Sequence, residues 1–172
     1  MNLVRSVVEK HTSSLSLMER VYSEELPNPG GIAKELGPNG VAELFSEIAE
    51  ISNERDRLDR EGEVNCDDLD DFWRAMTRLG SVIPYQARLY PAQVLEGLSH
   101  ENRSVRFYVA HSLSKVPFRK ALLKLQKALS MESDSLTRRV LTEAVTACSS
   151  IMACLREIVA KNRRLPVVWR DA

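Results

Sequence analysis

Hydrophobic positions along the chain recur at the 3.6-residue spacing of helices rather than in the alternation of strands. Leu3, Val7 and Val8 predict a short first helix, and Leu15, Met18, Val21 and Tyr22 a second. Residues 26–31, reading LPNPGG, predict a loop, because two prolines and two glycines weaken any regular element. Asn39 stands where an N-cap belongs for a helix carrying Val41, Leu44, Phe45, Ile48 and Ile51. Gly62 ends that helix. The next carries Leu69, Trp73, Met76 and Leu79 with Gly80 as its stop, and Asp67 and Asp68 suit its positive dipole end.

The second half is plainer, with no glycine or proline between residues 118 and 165. Pro91 opens a helix with Val94, Leu95 and Leu98. A polar turn at residues 100–103 leads to a helix with Val105, Val109 and Leu113. Pro117 predicts the start of another, in which Phe118, Leu122, Leu125 and Leu129 fall within about 60° of the wheel, opposite Lys120, Lys124 and Lys127. The last helix is expected over residues 135–161, followed by a tail with Pro166 and Trp169 that docks on the body. The expected core is Trp73, Val105, Val109, Leu113, Leu122, Leu125, Leu129, Leu141 and Leu155.

Residues 97–113 align with residues 128–144 at an offset of 31, with Leu98/Leu129, Ser99/Ser130, Glu101/Glu132, Ser104/Ser135 and Val109/Val140 identical. A fainter earlier copy puts Leu69, Trp73 and Met76 in the places of Val105, Val109 and Ser112. In the first full copy Leu98 closes one helix, residues 99–103 turn, and Val105, Arg106, Val109, Ala110 and Leu113 space the next. This pattern resembles HEAT-type helical repeats across residues 67–145. The second copy departs from it, with Thr137 for the arginine and Leu141 for the small residue. The resemblance implies an all-α fold: stacked antiparallel helix pairs, a HEAT-like α-solenoid fragment over residues 61–172, with residues 1–60 as an N-terminal helical cap or subdomain. It also implies a binding surface, although fold alone does not give function. In size and helical character the chain is similar to small bacterial immunity proteins, which implies an inhibitor of a cognate protein.

Composition narrows the classes. At 172 residues, 44% apolar and 28% charged, the chain can bury a core of its own. Its longest apolar run is the five residues 151–155, against roughly 20 needed to span a bilayer, so no membrane partner is expected. Arg5, Glu9 and Lys10 interrupt any signal-peptide pattern, and three cysteines without a C-x-x-C pair fit a reducing, cytoplasmic setting. The 24 basic and 24 acidic residues balance but are not mixed. Residues 1–90 hold 10 basic and 17 acidic side chains, and residues 91–172 hold 14 and 7. Either the halves neutralise each other, or the molecule presents opposed potentials.

No catalytic, cofactor-binding or metal residue is expected. His11, His100 and His111 have no partner at a ligand spacing, and Cys148 and Cys154 stand about 240° apart on a helix. Neither a phosphate-binding glycine loop nor a nucleophile elbow is present. The chain is therefore read as a non-enzymatic protein-binding module. Its partner face is predicted to expose Asp71, Arg78, Phe107, His111, Arg138 and Thr142, with Phe107 as the aromatic anchor. Nucleic acid is the alternative partner, held by Lys115, Arg119, Lys120, Lys124, Lys127, Arg138 and Arg139. A pI near 6.8 and the scarcity of interleaved aromatics favour protein.

Overall fold

A computed structural model describes residues 2–13, 26–63 and 65–163. These residues form helices and no strand. The predicted helix around Leu15, Met18, Val21 and Tyr22 lies outside the described residues, as do Pro166 and Trp169 of the tail and the side chain of Leu155.

Helix α1 (Leu3–Thr12) is capped by Asn2, whose side chain accepts from the amides of Val4 and Arg5. Asn2 Nδ2 and Arg5 Nε also donate to the buried Glu47 carboxylate, at 2.6 and 2.7 Å. A carboxylate so enclosed needs such donors, and here they pin the N-terminal helix to α3 (Gly40–Glu61). The predicted loop at residues 26–31 needs correction, because α2 (Pro29–Leu36) begins inside it. Pro29 takes the first helical position, where its missing N–H costs nothing, and Asn28 at φ 50° accepts from the Gly31 amide at 3.0 Å. Gly62 does end α3: at φ 68° it lets its own amide and that of Glu63 reach the carbonyls of Asp59 and Leu58.

Helix α4 (Cys66–Gly80) starts from a reciprocal cap between Asn65 and Asp68. Two short helices follow, α5 (Ile83–Leu89) and α6 (Pro91–Glu96), the latter running into a 3-10 turn at Gly97–Ser99. Seven residues are too few for a periodic signal, so α5 was not legible as a helix. Its buried Gln86 donates to the carbonyl of Ala33 at 3.0 Å and ties it to α2. Then come α7 (Arg103–Lys115), α8 (Ala121–Met131) and α9 (Ser135–Arg163). Residues 117–120 lead into α8 rather than forming its first turn. At 29 residues α9 is about 43 Å long.

A single apolar cluster joins these helices, with Ile32, Leu44, Ile48, Met76, Ile83, Leu113, Leu125 and Leu141 fully enclosed. Helix α7 packs along α9 and also against α3 and α4, while α8 packs on α9 and the 3-10 turn. Val105, Val109, Leu113, Leu125 and Leu141 are buried as expected, and Leu122 and Leu129 only partly. Trp73 needs correction: it is 43% exposed. Leu79 and Met76 supply the buried face of α4 instead.

Gly80 of α4 lies directly against the Tyr108 ring of α7. A Cβ there would lie 2.4 Å from Cδ1 of Tyr108, a separation real Cβ atoms do not show. Gly80→Ala is therefore expected to lose about 1–3 kcal/mol through forced repacking. Denaturant midpoints of the two proteins check this; an unchanged midpoint would mean that the Tyr108 ring moves freely.

Candidate functional site

Helical spacing brings aromatic and basic side chains into one groove. On α4, Trp73 and Thr77 are four residues apart and share a face. On α7, Phe107, His111 and Lys115 repeat the same interval, with Tyr108 and Ser112 beside them. Helix α5 closes the far wall with Tyr85 and Arg88, and Pro29 completes it from α2. The groove encloses about 560 Å³.

Its floor is an aromatic stack. Phe107 contacts Tyr108 edge-on at 5.1 Å between ring centroids and lies nearly parallel to His111 at 6.0 Å. Trp73 leans over both Phe107 and Tyr108, at 6.1 and 6.2 Å. Such pairs gain about 0.5–1.5 kcal/mol beyond area burial, so the ring positions are held rather than free. The Tyr108 hydroxyl is 3.0 Å from Thr77 Oγ1, and burial pushes its pKa up to about 12. Burial, with Lys115 nearby, holds the His111 imidazole below its ordinary 6.5, so the ring is neutral at pH 7.

Charge in the groove has one sign. Arg88 sits 5.8 Å above the Tyr85 ring, an attraction that leaves its charge at the rim, and Lys115 is exposed at the other wall. Among the described residues no aspartate or glutamate lines it. A smaller pocket of about 190 Å³ shares Trp73 and Phe107 with it and adds Arg55 and Arg103. The one carboxylate there, Asp134, is engaged by the amide and hydroxyl of Thr137, both at 2.8 Å, as the cap of α9.

The six predicted partner residues are dispersed. Phe107 and His111 meet in the groove, but both are half-buried where exposure was expected. Asp71 is exposed, pairs with Arg74 at 2.7 Å, and lines a different groove. Arg78 is half-buried, and burial lowers its pKa. Arg138 is exposed but reaches back to the carbonyls of Leu129 and Glu132, and Thr142 bonds the Arg138 carbonyl at 2.8 Å. Sequence reading missed Trp73, Tyr85, Arg88 and Tyr108. Trp73 falls in step with Leu69 and Met76, so periodicity placed it inside; only the neighbouring helix decides that α7 leaves its ring at the lip.

No protein-family model, curated protein or solved structure matches the chain. Its groove is the guide to function.

Proposed function

We propose that this chain is a protein-binding module, built on HEAT-like helix pairs, that seats an apolar side chain of an acidic partner segment in the Trp73–Phe107 groove. The observation that carries the reading is Trp73, 43% exposed yet tilted against Phe107 and edge-on to Tyr108 at the lip of a concavity that, among the described residues, no carboxylate lines. Rigid aromatics lose little entropy on binding and are enriched where binding energy concentrates. Arg88 and Lys115 flank them with positive charge, which suits an acidic partner and disfavours a basic one. Inhibition of that partner is the mode of action that the small size and helical build suit best.

Support for repeated pairs comes from the turns. Arg106, from α7, donates to the carbonyls of His100 and Glu101 in the turn before it. Arg138, from α9, one position beyond the aligned Thr137, donates to the carbonyls of Leu129 at the end of α8 and Glu132 in the turn. Each turn thus gives a carbonyl to an arginine near the start of the helix that follows, although the two arginines are not at aligned positions. The packing of α7 along α9 has the second members of successive pairs side by side.

A photo-crosslinking residue in place of Tyr85, 38% exposed at the groove wall, is expected to capture a protein whose crosslinked peptide is acidic around an apolar residue. A nuclease-sensitive adduct would move the reading to nucleic acid. Trp73→Ala is expected to weaken capture by about 2 kcal/mol or more, as at an interface hot spot. Its cost in stability should be about 1 kcal/mol, the worth of its ring contacts. Phe107→Ala should lower both, because the ring is also packed on the core. Undiminished capture by Trp73→Ala would remove the groove from the interface.

A further inference from the structure

Two other surfaces of the molecule are complementary to each other. On α8, Leu123 and Met131 are 78% and 75% exposed, the largest exposures of any large apolar side chain described. They are eight residues apart, about 12 Å along the axis, on one side of the helix with the exposed Lys127 between them. Lys124 and Lys120, also exposed, extend the charge. The face is an apolar ridge set among lysines.

Between the C-terminal half of α3 and the start of α4 lies a groove of about 530 Å³ with Ile51, Leu58, Phe72 and Ala75 as its walls. Asp68 and Asp71 rim it, and Asp67 and Asp70 stand exposed on the same first turns of α4. The groove is thus apolar within and acidic at its edge. It belongs to the α3–α4 pair and the ridge to the α8–α9 pair, while α7 packs against both pairs. The exposed lysines of α8 and the exposed aspartates of α4 therefore lie on separate surfaces, while Arg103 and Asp56 pair across the two halves of the chain at 3.2 Å.

We propose that the chain associates head to tail, the α8 ridge of one copy seating in the α3–α4 groove of a second copy. Leu123 and Met131 supply the apolar contact, and Lys124 and Lys127 meet Asp68 and Asp71. Because ridge and groove are different surfaces, the contact is heterologous: each copy retains one free ridge or groove, and assembly proceeds beyond a dimer unless a ring closes. This site is distinct from the Trp73–Phe107 groove, and neither proposal depends on the other.

The test is the mass of the purified chain by sedimentation at rising concentration and low salt. The weight-average mass is expected to climb above 19.4 kDa and to fall back toward it at 1 M salt, where the Debye length is about 3 Å. Lys127→Glu alone and Asp71→Lys alone should each weaken association by at least about tenfold, since each sets like charges together. An equimolar mixture of the two variants should recover it, because the reversed ridge then meets the reversed groove. A mass that stays at 19.4 kDa for the unaltered chain overturns the proposal, as does a mixture that fails to recover. If Asp71→Lys does not fold, Leu123→Ser with Met131→Ser serves instead. Those side chains are exposed, so the variant should keep its helicity and lose association; retained association would equally overturn the proposal.

Discussion

Glu132→Ala is expected to lower stability by about 3 kcal/mol at pH 7, the low end of what breaking a buried ion pair costs. The Glu132 carboxylate is 2% exposed and receives Arg106 through two bonds, Nε at 2.6 Å and Nη2 at 2.9 Å. It also accepts from the amides of Ser133 and Asp134, both at 3.1 Å. Arg106 in turn holds the carbonyls of His100 and Glu101, so one side chain ties the turn before α7 to the turn before α9. The loss stays at the low end because the guanidinium is 20% exposed and keeps its two carbonyl partners. Glu132→Gln should cost less, since its carbonyl oxygen still accepts from both amides and from Arg106 Nη2, and only the bond from Arg106 Nε is replaced by two opposed donors. Acid should reproduce the effect. The hydrogen bonds from Arg106 hold the Glu132 pKa below its ordinary 4.5. A carboxylate with a depressed folded pKa contributes stability that is complete above the unfolded value and is lost as pH falls through the folded one. The variant's deficit should therefore be constant from pH 7 to about 5 and shrink below pH 4.5. Denaturant titrations over that range decide it; a deficit that does not change with acid would assign the cost to packing alone.

Leu125→Ala is the second large effect, expected at about 2–5 kcal/mol. Leu125 is fully enclosed, whereas its neighbours Leu122 and Leu129 are only partly buried and Leu123 is in solvent. Besides Ala121 it is the only fully buried residue of α8, which packs on α9 and the 3-10 turn with Leu122, Ala128 and Leu129 in partial contact. Little can collapse to fill the space. Leu123→Ala in the same helix is the control and should change stability by no more than about 0.5 kcal/mol. Equal losses at both positions would mean that α8 is rotated from the register described.

The helical class was legible in the sequence because burial of one face imposes a 3.6-residue period, and residues local to each end signal where it stops. Pro91 and Gly62 act through their own backbones, and each lies at the boundary its chemistry requires. Asn39 also lies at a helix start, but its side chain makes no cap bond. Local logic failed where the segment was short or its punctuation ambiguous. The prolines and glycines of residues 26–31 read as a loop, yet Pro29 is compatible with a first helical turn, and burial of Ile32, Ala33 and Leu36 draws that turn into a helix.

The groove was not legible, for a different reason. Periodicity says which side of a helix turns inward but not how far the neighbouring helix extends to cover it. Trp73 shares the apolar phase of α4, and whether it is core or lip depends on where α7 crosses, a distance set by Gly80 against Tyr108. Phe107 and His111 were recognised as lying off the buried stripe of α7, but α4 and α5 cover them by half. The sequence by itself determined the longer helices, several of their ends and most of the residues at their centre, because those follow from bonds within a turn or two. Only the tertiary structure decided which aromatics share one concavity, because that depends on contacts between residues 30 or more positions apart.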